Sequence, residues 1–123
     1  AACGIDTNHL LINYVLDDTI FNIYNLNFEK RVSAWICFAL HKGVITKIEN
    51  VEKINNINGV FKICLENLKI GDYVKPLSDD TTKLGPILIS GESREECFSI
   101  IDKVKKTLYI ETTDENNTYA IIW

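Results

Sequence analysis

The sequence predicts an α+β fold: an antiparallel sheet of about four or five strands, with a helix over residues 93–106 and N-terminal helices packed on it. Three observations predict it. Short apolar runs rich in β-branched and aromatic residues recur from Val32 onward, and Gly, Asn or Asp closes most of them. The stretch from Ser93 to Lys106 carries the cap and the periodicity of an amphipathic helix. Finally, 123 residues, 46% of them hydrophobic, make one domain, 1–123, with one modest core.

Asp6-Thr7 can cap a first helix with Leu10, Leu11, Tyr14 and Val15 on its apolar side. Asp17-Asp18-Thr19 interrupts it, and Ile20, Phe21, Ile23 and Tyr24 suit a second short helix. From Val32 to Leu40 the run containing Trp35, Ile36 and Phe38 predicts a strand buried on both faces. His41-Lys42-Gly43 then makes a tight connection into residues 44–48, which predicts an antiparallel hairpin. Asn50 caps a single helical turn over residues 51–54, and Val60 to Leu65 reads as a third strand.

Gly71-Asp72 is a turn signal, because glycine takes positive φ freely and aspartate bonds back to the backbone. Pro86, beside Gly85, suits a strand's first residue or an edge strand, because it cannot donate to a ladder. In Ser93-Arg94-Glu95-Glu96 the serine oxygen takes the amide three residues on, and Glu96 reaches back to the Ser93 amide. Cys97, Ile100, Ile101 and Val104 then share one face, and Lys103, Lys105 and Lys106 load the C-terminal end. Residues 107–111 form a last strand, and the apolar Tyr119 to Trp123 packs back on the body or sits in an interface.

Composition excludes several classes. A net charge of −4 without a basic cluster argues against a nucleic-acid partner. No apolar run is long enough to span a membrane and no signal-peptide pattern opens the chain, so the expectation is a cytoplasmic protein. Cys3, Cys37, Cys64 and Cys97 are scattered without a CxxC pair, which predicts reduced, mostly buried thiols and no metal centre.

No catalytic set is complete. Asp79 and Asp80, with Thr81, Thr82 and Lys83, suit a loop facing a substrate pocket or a metal, although a solvated turn wants the same residues. His9 would line the entrance of a substrate site; the plainer reading is a helix-surface histidine. His41 belongs to a turn, and Ser93 is a cap rather than a nucleophile. Gly71, Gly85 and Gly91 lack the spacing of a phosphate-cradling loop.

Four segments together resemble the C-terminal part of the ATP-grasp superfamily, in particular its carboxylate–amine ligases. They are Gly43-Val44-Ile45-Thr46-Lys47-Ile48-Glu49, Asn58-Gly59-Val60, Ile70-Gly71-Asp72-Tyr73-Val74, and the run from Lys83 through Gly85-Pro86 and Ser90-Gly91 to Glu95-Glu96-Cys97. The family pattern is a strand after glycine, a helical turn, a "PGV"-like strand, a "GD-V" turn and an "R-G-V-I-G-T-EEA" segment opening a helix. Asn58 stands where proline is common, Lys83 where arginine is, and Cys97 where alanine is. The resemblance is best over residues 43–111 and holds only in outline over 1–42.

The resemblance implies an enzyme that uses Mg-ATP to phosphorylate a carboxylate, which an amine then attacks to give an amide or peptide bond. The family's metal ligands lie in a Glu-x-Asn-x-Arg motif that this sequence does not contain. Ala1-Ala2-Cys3-Gly4 is similar to the small-residue stretch that follows that motif. The resemblance therefore implies the tail of a ligase (a fragment, one piece of a split enzyme or a degenerate relative), not catalytic by itself. Its partners would be the ATP-grasp N-terminal and central lobes, or further copies of itself. The other expectation is a stand-alone, non-catalytic binding or protein-interaction module.

Overall fold

The structure, a computed structural model, describes residues 31–78, 83–114 and 119–123, together with Asn8, Ile12 and Val15 of an N-terminal helical segment. The elements run β1 (Val32–Leu40), β2 (Gly43–Glu49), α1 (Val51–Asn55), β3 (Val60–Ile63), β4 (Tyr73–Val74), β5 (Leu84–Gly91), α2 (Arg94–Thr107), β6 (Tyr109–Thr112) and β7 (Ile121–Ile122). The α+β class is as expected, and every described strand pair is antiparallel. The strands divide into two sheets, ordered β3-β5-β1-β7 and β4-β2-β6.

The predicted hairpin does not form. β1 pairs with β5 and β7, whereas β2 pairs with β4 and β6. The His41 amide continues the β1–β7 ladder by donating to the Ala120 carbonyl at 2.8 Å. Gly43, at φ 132°, then carries the chain into the other sheet, where the Val44 amide donates to Thr113 Oγ1 at 2.9 Å. A tight connection signals reversal only when its flanking strands want each other; here each finds a better partner far away in sequence.

Ala120 joins the two sheets. Its carbonyl accepts from His41 on the β1 side, and its amide donates to the Ile110 carbonyl at 2.9 Å on the β6 side. A bridge between Glu111 and Tyr119 extends that second contact. The apolar terminus thus packs back on the body, one of the two expectations for it.

Helix α2 covers one face of the first sheet. Cys97, Ile100 and Val104 bury themselves against Ile87 and Ile89 of β5, as the periodicity predicts, and Phe38, Ile45, Leu108 and Ile110 extend the same core. Each such side chain contributes about 1.5–3 kcal/mol by leaving water. Ser93 Oγ accepts from the Glu96 amide at 3.1 Å, as expected of the cap. The Glu96 carboxylate, however, accepts from the Glu92 amide at 2.6 Å rather than from Ser93.

Other expectations change in ways that locate the exposed surfaces. β1 is buried only at Phe38, Ala39 and Leu40, and Trp35 is 70% exposed. β5 is central, so Pro86 lies on neither an edge nor a first position; the ladder tolerates it because β5 bulges there, Gly85 and Pro86 together standing opposite the single Cys37 of β1. Asn50 stands at the start of α1 but makes no side-chain cap. It takes φ 67°, and its Nδ2 donates to the Thr107 carbonyl at 3.0 Å, tying α1 to the end of α2. Val15 is exposed rather than on a covered apolar side. The proposed second helix over 20–24 lies outside the described residues.

Candidate functional site

Of the site residues read from sequence, His9, Asp79, Asp80, Thr81 and Thr82 lie outside the described residues. Lys83 is exposed just ahead of β5. His41 is half-buried in the crossing between sheets, and Ser93 is committed to its cap. Cys37 and Cys64 are half-buried free thiols and Cys97 a buried one, with its Sγ 3.5 Å from the Val32 carbonyl. Among the described residues, no three His, Cys, Asp or Glu side chains stand where they could hold one metal ion.

A polar cleft of about 360 Å³ lies where β3, the end of β5 and the start of α2 meet. Arg31, Asn58, Phe61, Ser90, Glu92 and Glu96 line it together with Gly59, Val60 and Gly91. Its floor depends on close backbone approach. The Ser90 amide donates to the Gly59 carbonyl at 2.8 Å, and Gly59 takes φ 92°. A Cβ on Gly59 would come within 2.3 Å of Ile100 Cδ1 and 2.9 Å of the Ser90 carbonyl, so only glycine fits. Ser90 Oγ is buried and finds no hydrogen-bond partner.

The cleft can bind by hydrogen bonds and charge, but its groups do not assemble catalysis. Neither Ser90 nor Ser93 has a histidine or other base paired with it among the described contacts, so neither is an activated nucleophile. The Glu96 carboxylate is already engaged by the Glu92 amide. The cleft does not fit Mg-ATP: its two glutamates oppose a polyphosphate and outnumber Arg31, and among the described residues no acidic cluster stands ready for the cation.

A second groove, also about 360 Å³, is apolar. Ile48, Val51, Ile63, Leu65 and Leu68 line it, with Glu52, Asn55 and Glu66 as its polar members. On the second sheet a polar cluster joins exposed Lys47 and Glu49 to half-buried Tyr109 and Glu111. Lys47 Nζ is 3.1 Å from Glu49 and sits over the Tyr109 ring, 5.5 Å from its centroid; the Tyr109 hydroxyl donates to Glu111 at 2.5 Å. The hydrogen bond to Glu111 pushes the Tyr109 phenol above its ordinary value, and the bond to Glu49 does the same for Lys47.

The sequence reading missed two exposed aromatic residues, Trp35 and Phe61, 70% and 64% accessible. Trp35 sits in a continuous apolar run that hides which face is covered. Phe61 occupies a break in register between Val60 and Lys62, which no local pattern announces.

Comparison with known proteins places this geometry. No curated protein matches the sequence. Among solved structures, an L-amino acid ligase from Bacillus licheniformis superposes with a TM-score of 0.67 at 19% identity, covering 92% of this chain. This chain spans only 28% of that ligase. At such identity the likeness shows the fold alone, and it bears out the expected α+β architecture. The family model "L-amino acid ligase C-terminal domain 2" matches residues 35–113, from within β1 to just past β6. A match over that much of the chain fixes the relationship, and the protein belongs to the L-amino acid ligase C-terminal domain 2 family.

Proposed function

We propose that residues 1–123 act as the C-terminal lobe of an ATP-dependent carboxylate–amine ligase that forms an amide or peptide bond, and that this lobe is not catalytic by itself. The observation that carries the reading is the family match over residues 35–113. Mg-ATP and the activated carboxylate belong to other lobes of the ligase. This lobe supplies a wall and a rigid body against which the nucleotide-clamping part closes. Support comes from the cleft at the start of α2, whose Glu92 and Glu96 would oppose a nucleotide's phosphates.

A thermal-shift titration with Mg-ATP tests the reading, because any ligand specific to the folded state raises Tm by mass action. The expected outcome is a cooperative melt with no magnesium-dependent shift. A clear shift would mean that this chain carries its own nucleotide site.

The exposed Trp35 and Phe61 favour a second reading, a stand-alone protein-interaction module. Solution size separates the two: a severed lobe self-associates or aggregates, whereas an independent module is monodisperse.

A further inference from the structure

The first sheet has two faces, and α2 covers one of them. A Cβ on Gly91 would touch Cys97 Sγ at 3.2 Å, so Gly91 points at α2, and by alternation Ile89 and Ile87 do too. Leu88 and Ser90 therefore point away from the helix. Register extends that outer face across the sheet: Trp35 and Lys62 both stand opposite Leu88, and Ser33 stands opposite Ser90. Phe61, at the break in the β3 register, lines the same cleft as Ser90 at the edge of this face.

Trp35 and Phe61 are, with Val15, Ile70 and Tyr73, the most exposed large hydrophobic side chains among the described residues. They are not isolated. Half-buried Leu88 lies opposite Trp35, and Ser33 pairs with Ser90 two residues further along. Phe98, also strongly exposed, differs: Arg94 stacks over its ring, 5.3 Å from the centroid. Trp35, Phe61 and Leu88 make an aromatic and apolar centre, with Lys62 beside it and Arg31, Glu92 and Glu96 in the cleft at its edge, the arrangement of an anchored interface with a charged rim.

The geometry points to this outer face (Trp35, Phe61, Lys62 and Leu88) as the surface on which the lobe docks against the ATP-grasp portion of its ligase. The inference rests on the reading of the chain as a ligase lobe. That reading supplies the occupant, because the matched ligase holds the other 72% of its length in parts this chain does not span (100% less the 28% covered). Lys62 sets the partner's chemistry: an apolar patch with a carboxylate at its margin. The glutamate-flanked groove of Ile48, Val51 and Leu68 offers no aromatic anchor.

Thiol labelling of the intact ligase tests the surface. Trp35→Cys and Phe61→Cys are compared with Tyr73→Cys, an equally exposed position on the second sheet, against the background of the native cysteines. Maleimide is expected to modify the first two at least tenfold more slowly than the third. Equal rates at all three positions, in a ligase that still forms ADP from Mg-ATP, overturn the surface and leave the ligase reading standing. Protection that disappears on dilution assigns the face to a second copy and also overturns the proposal. An intact protein that turns over no Mg-ATP with any amino acid pair removes the ligase reading and the named occupant with it.

Discussion

Gly59 and Gly71 both sit at positive φ, 92° and 96°, yet they do so for different reasons. Around Gly71 a Cβ would meet nothing within 4 Å, so Gly71→Ala carries only backbone strain, about 1–3 kcal/mol. Gly59→Ala adds a collision with Ile100 and the Ser90 carbonyl, and should cost at least about 2 kcal/mol more than Gly71→Ala. Urea midpoints of the two variants check the ordering. The polar cluster on the second sheet makes a prediction of another kind. Tyr109 and Lys47 both hold their protons more tightly when folded, so their contribution is complete below the unfolded values and is lost as pH rises through the folded ones. Stability should therefore be flat from neutral pH to about 9 and fall beyond about 10, the drop being shallower in Glu111→Gln and at high salt. Denaturation midpoints measured across that window decide it.

Among the elements, α2 was the most legible, because the signals that define a helix are local. Ser93, the glutamates and the Cys97–Ile100–Val104 stripe lie within three turns of one another. Ser93→Ala should cost about 1 kcal/mol, read as a lowered Tm, because it frees the Glu96 amide at the helix start. The positions of the strands were legible too, but their partners were not. Pairing is decided by residues far apart in sequence, such as Trp35 with Leu88, and no pattern within β1 names β5 or β7. For the same reason Trp35 read as core: its apolar neighbours report burial of the strand but not which face is covered. Asn50 shows the converse at a single residue. Its identity suggested a cap, while its side chain serves the Thr107 carbonyl, 57 positions away. The candidate site stayed hidden because it is made of a backbone approach, Gly59 against Ser90, that only the folded chain creates.

At the scale of the whole molecule, the two sheets share one core but meet through a narrow hydrogen-bonded seam at Ala120, which is fully buried. Ile121→Ser, on the same short strand, should weaken the closure of both sheets at once and cost about 2–4 kcal/mol, with a single lowered transition rather than two. Calorimetry distinguishes these outcomes. The seam also dictates an order of events during synthesis. β1 can recruit β5 once residues 84–91 have left the ribosome, but its other edge waits for residues 121–122, and the β6–β7 contact waits with it. Until then the edges of β1 and β6 stand open to unrelated strands. A ribosome that stalls before position 119 would hold out an adhesive half-domain, which is work for a chaperone rather than for a ligase.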